Sequence, residues 1–216
     1  MSQFVGPIHH WLFNKIKTFE KTEEAVINWA EEKGLEGKVL AKEIVKKYGA
    51  PVGDQGLEEV IDEGNIHGWL QGQIARAEVR QSALITEILK KDPSLIKELE
   101  RVFRNEGSRV GKVFAEKKNY EIRRAEELFE GLHDYLLEGM PCDRVTEVLE
   151  QDEHRVLWRT NQCLHEKYWE VVASDVQIFY RLRDCWIKGF VETANGDFAF
   201  YREAPLVQSI NKAEES

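Results

Sequence analysis

Cys163-Leu164-His165-Glu166 puts a thiol, an imidazole and a carboxylate within four consecutive positions. A thiol becomes a nucleophile when a base takes its proton, and a histidine two residues on can be that base if the chain turns between them. The same two side chains ligate zinc or iron, and Cys185, 22 residues beyond Cys163, adds a third donor if a returning helix brings it back. Asp184 stands beside that cysteine. The candidate catalytic residues are therefore Cys163, His165, Asp184 and Cys185, and the candidate metal ligands are Cys163, His165 and Cys185. In a hydrolytic version Cys163 attacks an electrophilic carbon while His165 moves the proton; in a metal version the bound ion activates water. Arg159 and Arg181 would meet an anionic substrate, and Trp186, among many aromatic neighbours, would pack on a planar organic one. The plain alternative is that these are buried cysteines and surface histidines that pack or meet solvent.

Other polar groups offer weaker patterns. His9 and His10 are adjacent, so on a helix they point about 100 degrees apart and do not form a bidentate site by themselves. His67 and His133 could join a remote metal or haem pocket. Paired carboxylates such as Glu23–Glu24, Glu58–Glu59 and Glu126–Glu127 are read as solvated helix faces, because no Glu-x-x-His pair repeats as a di-iron bundle requires. The glycines between 53 and 72 lack the Lys-Ser or Lys-Thr ending of a phosphate-binding loop.

The elements that must position these residues are mostly helical. Pro7 precedes a long apolar stripe through Trp11, Leu12, Ile16, Phe19, Val26 and Trp29 that ends near Gly34, and Leu40, Ile44 and Tyr48 repeat at four-residue spacing. After the glycine-rich stretch, a short helix is expected at Ala83–Leu89, longer ones after the Asp92-Pro93 cap, with a stripe from Leu95 to Phe114, and over Tyr120–Leu137, and a short one around Val145 and Val148–Leu149. Beyond Asp152 the pattern changes. Val156, Trp158 and Thr160 alternate as in a strand, a helix with a break near Ala173–Asp175 follows, and Asn195-Gly196 turns the chain into a second strand at Phe198–Arg202. The final INKAEES reads as a frayed tail. The fold class is mainly α with a small α+β C-terminal element: a helical bundle over 1–153 and a short antiparallel sheet within 154–216, packed as one globular unit.

Composition narrows the function classes. Thirty Lys and Arg face 39 Asp and Glu, a net charge of -9, which opposes a broad phosphate-tracking surface, so no nucleic acid is expected. No apolar stretch reaches the roughly 20 residues of a membrane helix, and the first 13 residues lack a signal-peptide pattern. A cytoplasmic protein is the resulting expectation. Three cysteines cannot pair completely within one chain, so free thiols are expected.

The stretches VLWRTNQCLHEKYWE, DCWIKGF and TANGDFAFYR together resemble the C-terminal region of the L-2-amino-thiazoline-4-carboxylic acid hydrolase-like family. Cys163, Cys185, Gly196, Asp197, Phe198 and Phe200 fall in that family's order, over about 47 of 216 residues. GDFAFYR has no counterpart of the cysteine that the family often carries in its last motif. The resemblance implies a small-molecule hydrolase or a related ligand-binding protein. Three functional readings follow: a small-molecule hydrolase using a cysteine/histidine or metal site, a helical sensor or binding module for a metal, haem or organic ligand, and a homo-oligomerisation module that uses its amphipathic faces.

Overall fold

The computed structural model describes residues 5–118 and 121–213. In chain order they form α1 (Pro7–Glu32), α2 (Gly37–Tyr48), α3 (Leu57–Val60), α4 (Ile66–Lys91), α5 (Ile96–Lys117), α6 (Ala125–Tyr135), β1 (Thr146–Gln151), β2 (Arg155–Thr160), α7 (Glu166–Glu170), α8 (Val176–Ala194), β3 (Phe198–Ala204) and β4 (Val207–Lys212). The chain is mainly helical with one small antiparallel sheet, the fold class its sequence indicates. Among the described residues, those within 1–96, 136–141 and 164–176 form one compact unit, and those within 97–135, 142–163 and 177–216 form another. No described helix is long and apolar enough to cross a membrane.

In the first unit, Pro7 opens α1 where a helix has no use for the missing N–H, and the Gly6 N–H donates to Nδ1 of His9 at 2.9 Å. Leu12, Phe13 and Ile16 of α1 meet Ile66, Leu70, Ile74 and Ala77 of α4, with Val52, Leu57, Leu137 and Met140 closing the cluster. These positions recur at three and four residues, so the contact between the two helices is made by one stripe of each. The start of α2 presses on α1: a Cβ on Gly37 would lie 2.2 Å from the Ile27 carbonyl oxygen, so only glycine allows this approach. Asn65 caps α4 by accepting from the Gly68 N–H at 3.1 Å. The helix then runs on to Lys91, and the separate helix expected at Ala83–Leu89 is its second half. Nothing between Ala77 and Lys91 breaks it: the segment has no glycine or proline, and Ala83, Leu84, Ile85 and Ile88 are buried.

In the second unit α5 and α8 cross at backbone distance. A Cβ on Gly107 would lie 1.9 Å from the Trp186 carbonyl oxygen, one on Gly111 2.3 Å from that of Phe190, and one on Gly189 2.1 Å from that of Arg104. Beside them lies the sheet, in the order β1-β2-β4-β3. Val156, Trp158 and Thr160 of β2 and Phe198 and Phe200 of β3 are buried at the alternate positions expected of them.

Three expectations are corrected here. The two expected strands are not neighbours, because β4 lies between them and pairs with both. Its second half comes from residues read as a frayed tail: Ile210 is fully buried and pairs with Val156 and Phe200, while Glu214–Ser216 lie outside the described residues. Around Val145–Leu149 the chain forms β1 rather than a helix, with Val148 opposite Trp158. This edge strand is exposed along most of its length and irregular between Val148 and Glu150, so no apolar alternation announces it. The helix expected from Tyr120 begins at Ala125, and Tyr120 itself lies outside the described residues. The expected break before α8 is present, with Ala173 in the left-handed region at φ 53°.

Candidate functional site

The residues expected to do chemistry are distributed over both units. His165 belongs to the first, whereas Cys163, Arg159, Arg181, Asp184, Cys185 and Trp186 belong to the second. Among the described residues, no three His, Cys, Asp or Glu side chains are gathered so as to hold a metal ion, and that includes Cys163, His165 and Cys185. In the second unit Arg181, Asp184 and Cys185 do share a place: with Glu100, Tyr180, Lys188 and Arg202 they line an open groove of about 570 Å³. Their charges are already engaged. Arg202 donates from Nε to Asp184 at 2.5 Å and also binds it through Nη2, and Arg181 pairs with Glu100. Burial and the nearby Glu100 carboxylate push the Cys185 thiol up, away from the thiolate a nucleophile needs. Arg159 forms an exposed pair with Glu147 at 2.6 Å, and Trp186 is buried and stacked on Phe190 at 5.8 Å.

His165 sits at the start of α7, 1% exposed, with its Nδ1 2.8 Å from Oε1 of Glu78 and its Nε2 3.8 Å from Oε1 of Glu138. Glu78 lies on α4 and Glu138 in the segment 136–141, so three separate stretches of chain meet at one imidazole. One turn along α4 from Glu78, Gln81 is buried with neither end of its amide hydrogen-bonded, and Oε2 of Glu78 is likewise unbonded.

A second polar centre lies elsewhere in the same unit. Glu20 and Glu23, three residues apart on α1, face Arg80 of α4, whose side chain is 0% exposed. The guanidinium donates from Nη2 to Glu20 at 2.6 Å and from Nε to the two Glu23 oxygens at 3.1 and 3.3 Å. It also reaches the Ala50 carbonyl at 3.4 Å. Glu20 accepts in addition from the Val52 N–H, at 3.0 and 3.2 Å.

Burial raises both carboxyls. Arg80 and the backbone donors oppose that rise at Glu20; at Glu23 burial outweighs Arg80 and takes the group to about 7. A pocket of about 290 Å³ opens over the pair, lined further by Lys17, Lys21, Glu24, Ile27, Val45, Pro51, Gly53 and Asp54. A cavity, a carboxyl that titrates near neutrality and a fixed partner that orients it are the components of an acid–base site.

The reading of Glu23–Glu24 as a solvated face is corrected for Glu23, which is 6% exposed. The signal that could have found the site is Arg80. It falls on the stripe of α4 that otherwise carries Ile74, Ala77, Leu84 and Ile88, and a charge at a core position needs buried partners of opposite sign. Compared with family models, curated proteins and solved structures, the chain matches none.

Proposed function

We propose that the chain is a small-molecule enzyme of the acid–base class, with hydrolysis as its reaction, working in the pocket over Glu20 and Glu23. The observation that carries this reading is a cavity floored by two buried carboxylates that share one fully buried arginine. Glu23, titrating at about 7, keeps part of its population protonated at neutral pH and serves as the proton donor. Glu20, held by Arg80 and the Val52 N–H, has donors that steady its anion and serves as the base that activates water. Arg80 touches no substrate; it positions both groups.

Turnover of a panel of small esters and amides is the test. Glu23→Gln is expected to lower turnover by about 10²–10⁴, while Glu130→Gln, at an exposed position of α6, leaves it unchanged. Full activity in Glu23→Gln refutes the reading.

A second reading centres on His165, as the general base of a hydrolase oriented by Glu78. It is favoured by the 2.8 Å contact between two side chains that are each 1% exposed. Loss of turnover in His165→Gln, with Glu23→Gln fully active and both variants folded, selects it.

A further inference from the structure

The pocket over Glu20 and Glu23 is asymmetric in what it offers a ligand. The Arg80 side chain is 0% exposed, whereas Glu20 and Glu23 each keep 8% of theirs open. An incoming molecule therefore meets carboxylate edges, with the guanidinium behind them. Two carboxylates against one guanidinium leave the floor one negative charge in excess when both are ionised. Around the rim the charges cancel, Lys17 and Lys21 against Glu24 and Asp54. The rim lysines also have acceptors of their own: Lys21 lies 3.0 Å from Glu24 and 3.7 Å from Asp54, and Lys17 donates to the Gln55 carbonyl at 3.2 Å. The rest of the wall is apolar, from Ile27, Val45 and Pro51. At about 290 Å³ the space is at the small end of ligand pockets, which run from roughly 300 to 1,000 Å³.

Resting on the acid–base reading of this site, in which Glu23 gives its proton to the leaving group, we propose that the pocket holds that leaving group as a small primary amine, its ammonium group on the Glu23 carboxylate and its hydrocarbon part against Ile27, Val45 and Pro51. An ammonium ion supplies the one positive charge the floor lacks, and a short alkyl chain matches the wall. A bare cation would leave that wall without a partner.

The pairing has a proton consequence. The charged groups around Glu23 are Glu20, Lys17, Lys21 and Glu24 from its own helix, Arg80 from α4 and Asp54 from the loop after α2; α2 contributes the uncharged Val45. Below pH 7 Glu23 is mostly protonated, so an ammonium ion that binds there must expel that proton to solvent. Binding then tightens as pH rises from about 5 to 8.

Calorimetric titration of the full chain with n-butylamine, beside the neutral n-butanol, tests this. Run at pH 6 in two buffers of different ionisation enthalpy, butylamine is expected to bind with release of most of one proton, falling towards zero by pH 8. Butanol is expected to bind at least tenfold more weakly and to release none. Glu23→Gln should lose the proton release and at least tenfold in amine affinity, and the pH dependence in the unaltered chain gives the same answer if that variant does not fold. Equal affinity for butanol, amine binding without proton release, or no amine binding overturns the proposal. The two readings fail separately. If Glu23→Gln abolishes turnover but butylamine does not bind, the amine class falls and the acid–base site stands. If butylamine binds with proton release but Glu23→Gln turns over normally, the ligand class stands and the catalytic role falls.

Discussion

The pocket over Glu20 and Glu23 and the groove along α8 hold similar inventories of charge but put them to different use. In the groove, Arg202–Asp184 and Arg181–Glu100 are ion pairs at the edge of solvent, the first 23% and 17% exposed and the second 50% and 26%. Water screens such pairs, and each carboxylate keeps a cation of its own. In the pocket one arginine serves two carboxylates, and all three are withdrawn from water. A shared partner and burial together hold a carboxyl near neutrality; a private partner and solvent do not. What separates a reactive constellation from a stabilising one in this chain is therefore stoichiometry and burial, not residue type.

Three changes sharpen that contrast, in falling order of effect. Arg80→Ala leaves two buried carboxylates with no cation and is expected to cost about 3–5 kcal/mol at pH 7, measured by urea unfolding, with a smaller loss at pH 4, where both carboxyls take protons. A loss under 1 kcal/mol would mean that the cluster opens to water.

Glu23→Gln comes next. The folded-state value of Glu23 is raised, so the stability it contributes is fully present below about pH 4.5 and is lost as pH rises through about 7. The glutamine variant has no such loss. Relative to wild type it is expected to gain about 2–3 kcal/mol between pH 4.5 and 8 in unfolding midpoints followed across pH. A constant difference across that range would place Glu23 in ordinary solvent contact. Arg159→Ala, at the exposed pair with Glu147, is expected to change stability by roughly 0.5 kcal/mol or less, and less still in high salt.

Legibility in the sequence followed the range of the interactions. The stripe of α1, the alternation in β2 and β3 and the break before α8 all depend on neighbours within a few residues, and their side-chain types declare them. The central strand β4 did not declare itself, because Ile210 sits in a polar stretch and becomes core only through Val156 and Phe200. The site behaved likewise. His165 stood out as a residue able to do chemistry, but its partner Glu78 is 87 residues away. Cys163, two positions from His165, falls in the other compact unit.

By itself the sequence determined the helix-rich class, the acidic surface, the free thiols and most of the local elements, because periodicity, caps and composition act over a turn or two of chain. Only the tertiary structure decided which charges are buried. Glu20 and Glu23 differ from the chain's exposed glutamates in facing Arg80, 60 and 57 residues along the chain, across a helix packing that excludes water. A carboxyl's affinity for its proton depends on the dielectric and the charges around it in space, and those do not exist until α1 and α4 meet.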